Sequence, residues 1–120
     1  MIKKPKKIKE SKLDAIFSKW IRNRDGKCLR CGKKENLQCA HIYSRIARSV
    51  RYEPLNAITL CYGCHIGWSH KYPIEFTEFI KKYLGIRKYN LLKEKYYTLK
   101  PGGFSEQEKQ AIVDKFTLHN

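Results

Sequence analysis

Two Cys-x-x-Cys pairs dominate the chemistry that this sequence can support. Cys28 and Cys31 form the first pair, and Cys61 and Cys64 form the second. Each pair at this spacing can supply two thiolates from one tight turn, and two such pairs match the four-thiolate site of structural zinc. We therefore predict a zinc site that ties two distant segments together. The alternative, four buried free thiols, does not explain the paired spacing.

Four further chemically active side chains lie between the pairs or shortly after them. His41 and Asn56 lie between the pairs, His65 follows Cys64, and His70 comes five residues later. An imidazole that titrates near neutral pH can accept a proton or bind a cation. A metal staple on both sides would make the segment between the pairs rigid, which is what a catalytic loop needs.

These residues together resemble the motif of the HNH endonucleases, which have the ββα-metal fold. The segments that carry the resemblance are Cys39-Ala40-His41-Ile42, Asn56-Ala57-Ile58-Thr59-Leu60-Cys61 and Cys64-His65. The spacings of fifteen residues from His41 to Asn56 and nine from Asn56 to His65 agree with that family. The flanking cysteine pairs resemble its zinc-stapled branch, and small phage-type and prophage-type HNH proteins are the nearest group. The resemblance covers roughly residues 11 to 85.

The resemblance implies a role for each residue. His41 would be the general base that deprotonates a water molecule, and Asn56 would hold the loop and the His41 ring through hydrogen bonds to backbone. His65 would ligate one divalent cation, which would act as a Lewis acid on the phosphoryl group. The implied reaction is hydrolysis of DNA phosphodiester bonds to 5′-phosphate and 3′-hydroxyl ends.

The distribution of acidic residues favours one catalytic cation over two. Two-metal nuclease sites usually require several carboxylates, whereas Glu53 is the one acidic residue from Leu37 to Tyr72. Many HNH enzymes carry an Asp or His ligand immediately before the general base, and here that position is Ala40. We predict that His70 replaces it. The cation could be Mg²⁺, Mn²⁺, Ni²⁺ or Zn²⁺, because imidazole suits several of these metals.

The segment from Tyr43 to Asn56 is long and polar for a small domain, which is typical of a functional loop. Arg45, Arg48 and Arg51 recur at every third residue within it. We predict that these three arginines bind nucleic acid. The alternative is a solvated basic face with no ligand.

Composition points to the same class of partner. The 120-residue chain has 26 Lys and Arg against 11 Asp and Glu, a formal net charge of +15, which favours a polyanion such as DNA. No apolar run is long enough to span a membrane, and the N-terminus has no apolar core typical of a signal peptide. We therefore expect a cytoplasmic protein of a bacterium or a phage-infected cell. Under reducing conditions the paired cysteines would be metal ligands, and Cys39 a small buried strand residue, with metal binding as its alternative role.

Sequence patterns predict an α+β domain in which a ββα-metal hairpin and helix are flanked by other helices. Residues 1–10 form a basic disordered arm or solubilising tail, 11–99 the nuclease domain, and 100–120 a linker and C-terminal helix. A capping box of Ser11 and Asp14 would begin the first helix, and Asp25-Gly26 would end it. Strands are expected near residues 37–42 and 57–60. Helices are expected after Cys61, after Pro73 and over residues 86–97, with a last one beginning at a Ser105 and Glu108 capping box.

Three other interpretations compete with a nuclease. A zinc-ribbon-like module could bind DNA or RNA without catalysis, with His41 a structural residue. A phage assembly protein could use the arm and the last helix to dock on a protein partner. The sequence Cys61-x-x-Cys64-His65 also fits c-type haem attachment, which requires export and leaves the first cysteine pair unexplained. Substrate preference and oligomeric state stay open.

Overall fold

The computed structural model describes residues 7–98, 100 and 102–118, and within them the fold is mixed α+β. The elements run in the order α1 (Glu10–Asp25), β1 (Leu37–His41), β2 (Ala57–Cys61), α2 (Tyr62–Cys64), α3 (Pro73–Leu84), α4 (Ile86–Tyr97) and α5 (Glu106–Phe116). The strands pair antiparallel, with Leu37 opposite Cys61 and His41 opposite Ala57. Among the described residues, no helix is both long and apolar enough to cross a bilayer.

Helix α1 forms because its apolar residues recur at intervals of four and face the sheet. Leu13, Phe17 and Ile21 are buried, and Gly26 ends the helix at a φ of 71°, with its N–H bonded to the Arg22 carbonyl. The predicted end of the helix is thus confirmed. The predicted capping box is wrong, because the helix begins at Glu10 and Lys9 caps it without a side-chain bond.

Strand β2 is buried along its whole length because both faces of the sheet are covered. On one face, Ile58 and Leu60 pack with Ala40, with Ile80 of α3 and with three of the paired cysteines, Cys28, Cys61 and Cys64. On the other face, Ala57 packs with α1. The small hairpin is therefore the middle layer of the domain, and its residues alternate between two separate apolar clusters.

Helix α5 packs on the body of the domain. Phe116 is buried, with its ring 5.1 Å from those of both Phe17 and Trp20. The capping box of Ser105 and Glu108 is confirmed. The apolar face of α5 is therefore already covered by α1, and docking of a protein partner through this helix stays a prediction.

Most of the predicted disordered arm, residues 1–6, lies outside the described residues. The part that is described is held against α5, because the Ile8 N–H donates to Glu106 and the Ile8 carbonyl accepts from Lys109. Helix α5 therefore fixes the chain directly before α1.

Candidate functional site

The four paired cysteines come together as predicted. Their sulfur atoms all lie within 4.8 Å of one another, and those of Cys31 and Cys61 are 3.7 Å apart. That separation is too long for a disulfide. It matches the edge of about 3.8 Å that Zn–S bonds of ~2.3 Å give a tetrahedron. The sulfurs thus form a site able to bind a structural metal ion such as zinc.

Each pair lies on a turn that directs backbone N–H groups at sulfur. Cys31 N–H points at the Cys28 sulfur and Cys64 N–H at the Cys61 sulfur, each at 3.5 Å. Gly32, at a φ of 82°, allows the first turn to close. Burial opposes ionisation of Cys28, but the N–H donors outweigh it and lower its pKa, whereas burial raises the pKa of Cys64. A bound dication would stabilise the thiolate form of all four cysteines.

Arg30 links this site to α3. Its Nη1 lies 3.5 Å from the Cys64 sulfur, and its guanidinium lies 4.0 Å from the centre of the Trp68 ring. Trp68 in turn makes edge contacts with Phe76 and Phe79. Four thiolates and one Zn²⁺ would carry a net charge of −2. The Arg30 guanidinium would offset part of that charge, and it also packs the turn against Trp68. The sequence interpretation did not include Arg30.

A cleft of about 660 Å³ opens beside the sheet. It is bounded by α1, β1, the start of the long loop and the turn after α2. Its lining residues that can donate, accept or bind are Asp14, Ser18, Arg22, Gln38, Cys39, His41, Ser44, Arg45, His65 and His70. Three of the four histidines of the chain therefore face one space.

His41 lies at the end of β1 with one ring nitrogen already occupied. Its Nε2 is 3.0 Å from the Arg51 carbonyl oxygen, which can only accept, so Nε2 carries the hydrogen. This tautomer leaves the Nδ1 lone pair to accept a proton. Burial lowers the pKa of His41, so the imidazole is neutral at pH 7.

Asn56 ties the long loop to the sheet. Its side chain is fully buried, donates from Nδ2 to the carbonyls of Tyr43 and Val50, and accepts from the Tyr43 N–H. The three bonds span the loop from its start to the residue before Arg51. Asn56 thereby fixes the segment that orients His41, while its part in catalysis stays a prediction.

His65 and His70 meet because the helix changes its winding. Residues His65–Ser69 form a π turn, in which the His70 N–H bonds to the His65 carbonyl five residues back. Their ring centres are 4.6 Å apart. Two imidazoles at this separation can share one cation at the usual metal–nitrogen distance of about 2.0–2.1 Å.

Gln38 orients His65, and the sequence interpretation missed it. Its side-chain oxygen lies 2.8 Å from His65 Nδ1, so Nδ1 donates and Nε2 keeps the lone pair that a metal would use. Gln38 is two residues before Ala40 on β1, and the two side chains therefore point to the same face. Ala40 itself is buried among apolar residues. The alternation of side chains along β1, which puts residues 38 and 40 on one face, was the sequence signal that could have identified Gln38.

The described residues contain one group of three or more metal-ligating side chains whose atoms lie together, the four cysteines. A catalytic cation ligated by His65 and His70 stays a prediction.

The three loop arginines contact carboxylates of α1. Arg51 donates to both Asp14 oxygens and pairs with Glu10, and its side chain is 15% exposed. Arg48 pairs with Glu10. Arg45 reaches Asp14 at 3.5 Å, with its side chain 59% exposed. Arg51 thus holds the loop on α1, which leaves Arg45 as the most accessible of the three cations for phosphate.

Asp14 is the anchor of this arrangement, and we expect Asp14→Ala to lower the free energy of unfolding by about 1–3 kcal/mol, because it leaves Arg51 and Tyr52 without their shared acceptor. Urea unfolding at pH 7 measures the loss. Asp114→Ala on α5 is the matched control and should change stability by less than about 0.5 kcal/mol.

The Asp14 contribution should depend on pH. Burial raises the pKa of Asp14, but bonds from Arg51 and Tyr52 outweigh it and lower the pKa below 3.8. The stabilisation is therefore complete above about pH 4 and is lost as the pH falls through the folded-state pKa. A stability difference between wild type and Asp14→Ala that grew on acidification would contradict this role.

No protein-family model, curated protein or solved structure matches this chain. The resemblance to HNH endonucleases therefore rests on the sequence motif alone and stays a prediction.

Proposed function

We propose that the protein is a metal-dependent DNA endonuclease of the HNH type, stapled by a four-cysteine zinc site. The observation that supports it most is the His41 ring, which shares a cleft with His65 and His70 and is fixed by the Arg51 carbonyl with Nδ1 free. A zinc module that only binds nucleic acid has no need for this arrangement.

In the proposed reaction, His41 Nδ1 takes a proton from the water that attacks phosphorus. Asn56 keeps the loop, and with it the Arg51 carbonyl, in place as the proton moves. His65 and His70 would hold one divalent cation, whose Lewis acidity would stabilise charge on the phosphoryl oxygens and the leaving 3′ oxygen. Gln38 keeps His65 in the tautomer that can bind it.

The net charge of +15 supports a nucleic acid as the substrate, and the family resemblance favours DNA over RNA. The second candidate is the non-catalytic zinc-ribbon-like module. It shares the charge and the zinc site, so affinity for DNA alone does not separate the two functions.

Cleavage assays separate them. Zinc-loaded protein should be incubated with supercoiled plasmid and with single-stranded, nicked and branched DNA, each with Mg²⁺, Mn²⁺, Ni²⁺ or additional Zn²⁺. We expect cleavage that requires the added cation and leaves ends that DNA ligase can join without a kinase. Binding with no cleavage on any of these substrates would favour the non-catalytic module.

A further inference from the structure

Arg22 of α1 is a cation in the cleft that the proposed mechanism does not use. It lies in the last turn of α1, and its side chain lines the cleft with those of His41, His65 and Arg45. The sequence pattern drew attention to the apolar stripe of α1 and to the arginines of the loop, and so passed over it.

The Arg22 side chain is fixed at one atom. Its Nε donates to the carbonyl and the hydroxyl oxygen of Ser18, one turn earlier, at 3.3 Å each. These bonds use Nε alone, so the two terminal nitrogens of the guanidinium keep their donors. Arg22 forms no ion pair with any other residue in the described part of the chain, whereas Arg45, Arg48 and Arg51 each contact Asp14 or Glu10.

The charges around Arg22 favour an anion from outside the chain. Asp14 is the one carboxylate that lines the cleft, and it already accepts from Arg51 and Tyr52. Cys39, which also lines the cleft, stays a neutral thiol because burial raises its pKa to about 12. Neither group competes strongly for the Arg22 guanidinium.

We propose that Arg22 binds the non-bridging oxygens of the phosphodiester that enters the cleft. This inference rests on the proposed function and identifies the phosphate subsite within it. A planar guanidinium with both terminal nitrogens free can donate two parallel bonds to phosphate, which the point charge of a lysine cannot. Its anchor on Ser18 places those donors before substrate arrives.

The test compares Arg22→Ala and Arg22→Lys with Lys19→Ala, which removes one charge from the same helix at an exposed position outside the cleft. Binding of a fluorescein-labelled DNA duplex is measured against salt in a His41→Ala background. We expect Arg22→Ala to flatten the slope of log affinity against log salt by about 0.9, the value for one phosphate contact. Lys19→Ala should change the slope much less.

Cleavage adds a second readout. In the otherwise wild-type chain, Arg22→Ala should lower the single-turnover rate by about 100-fold or more. Arg22→Lys keeps the positive charge and should show the wild-type salt slope, but its cleavage rate should be as low as that of Arg22→Ala. Zinc content and circular dichroism verify that each variant folds. If Arg22→Ala behaves like Lys19→Ala in both slope and rate, the proposal is wrong.

A measurement on unmodified protein covers the case in which an Arg22 variant does not fold. The Nε–Hε NMR signal of Arg22 should shift when the duplex is titrated in, and an unmoved signal at saturation overturns the proposal. If the Arg22-dependent slope and the NMR shift are both present but wild-type protein cleaves no substrate, the phosphate subsite stands and the endonuclease function fails.

Discussion

Replacing Cys28 with serine is expected to abolish zinc binding and unfold the domain around the hairpin. Structural zinc in small domains contributes about 10–16 kcal/mol of binding free energy near neutral pH. This equals or exceeds the total stability of about 5–15 kcal/mol that is typical of a domain. Cys28 is fully buried in the same cluster as Ile58 and Leu60, so loss of the metal also opens the apolar core.

Zinc per chain, determined by mass spectrometry, and thermal unfolding measure the effect of Cys28→Ser. Cys39→Ala is the matched control, because Cys39 is a free thiol on β1 outside the four-sulfur cluster. It should keep one zinc per chain. A Cys28→Ser protein with full zinc content and unchanged melting temperature would show that the cluster is not the metal site.

Replacing His41 with alanine is expected to lower the cleavage rate by a factor of at least several hundred, with zinc content and DNA affinity near those of wild type. The change removes the proton acceptor and leaves the four cysteines, Asn56 and Arg22 in place. The measurement is single-turnover cleavage at saturating cation. Full metal-dependent activity in His41→Ala, after contaminating nucleases are excluded, would contradict the HNH assignment.

The pH profile gives an independent test of His41. Burial lowers its pKa below 6.5, so the base is already neutral through the physiological range. The rate should therefore rise with pH along an acid limb whose midpoint lies below 6.5 and reach a plateau above it. A midpoint well above 6.5 would mean that another group limits the reaction.

Variants of the two other histidines separate the base from the metal ligands. His65→Ala and His70→Ala should each raise the cation concentration needed for half-maximal rate. His41→Ala should leave that concentration near the wild-type value. A His70→Ala protein with unchanged cation dependence would remove His70 from the metal shell.

Sequence patterns were sufficient where local chemistry decides the structure. Each Cys-x-x-Cys turn presents both of its sulfurs to one side, and the β1–β2 hairpin, in which Leu37 lies opposite Cys61, brings the two turns together. The stripe of Leu13, Phe17 and Ile21 predicted the buried face of α1 because a helix repeats every 3.6 residues. The spacing of His41, Asn56 and His65 carried the family resemblance, and the structure places His41 and His65 on one cleft.

Tertiary contacts decided what the patterns could not. Asp14 and Arg51 are 37 residues apart, so their pairing depends on how α1 packs against the loop. That pairing, and not a capping box, is the role of Asp14. The bond from His65 to Gln38 joins residues 27 positions apart and likewise depends on tertiary packing. The π turn that brings His70 to His65 left no signal in the sequence pattern. Sequence therefore identified the candidate groups, whereas the tertiary structure decided which partner orients each of them, because hydrogen bonds between distant segments leave no periodic signal in the chain.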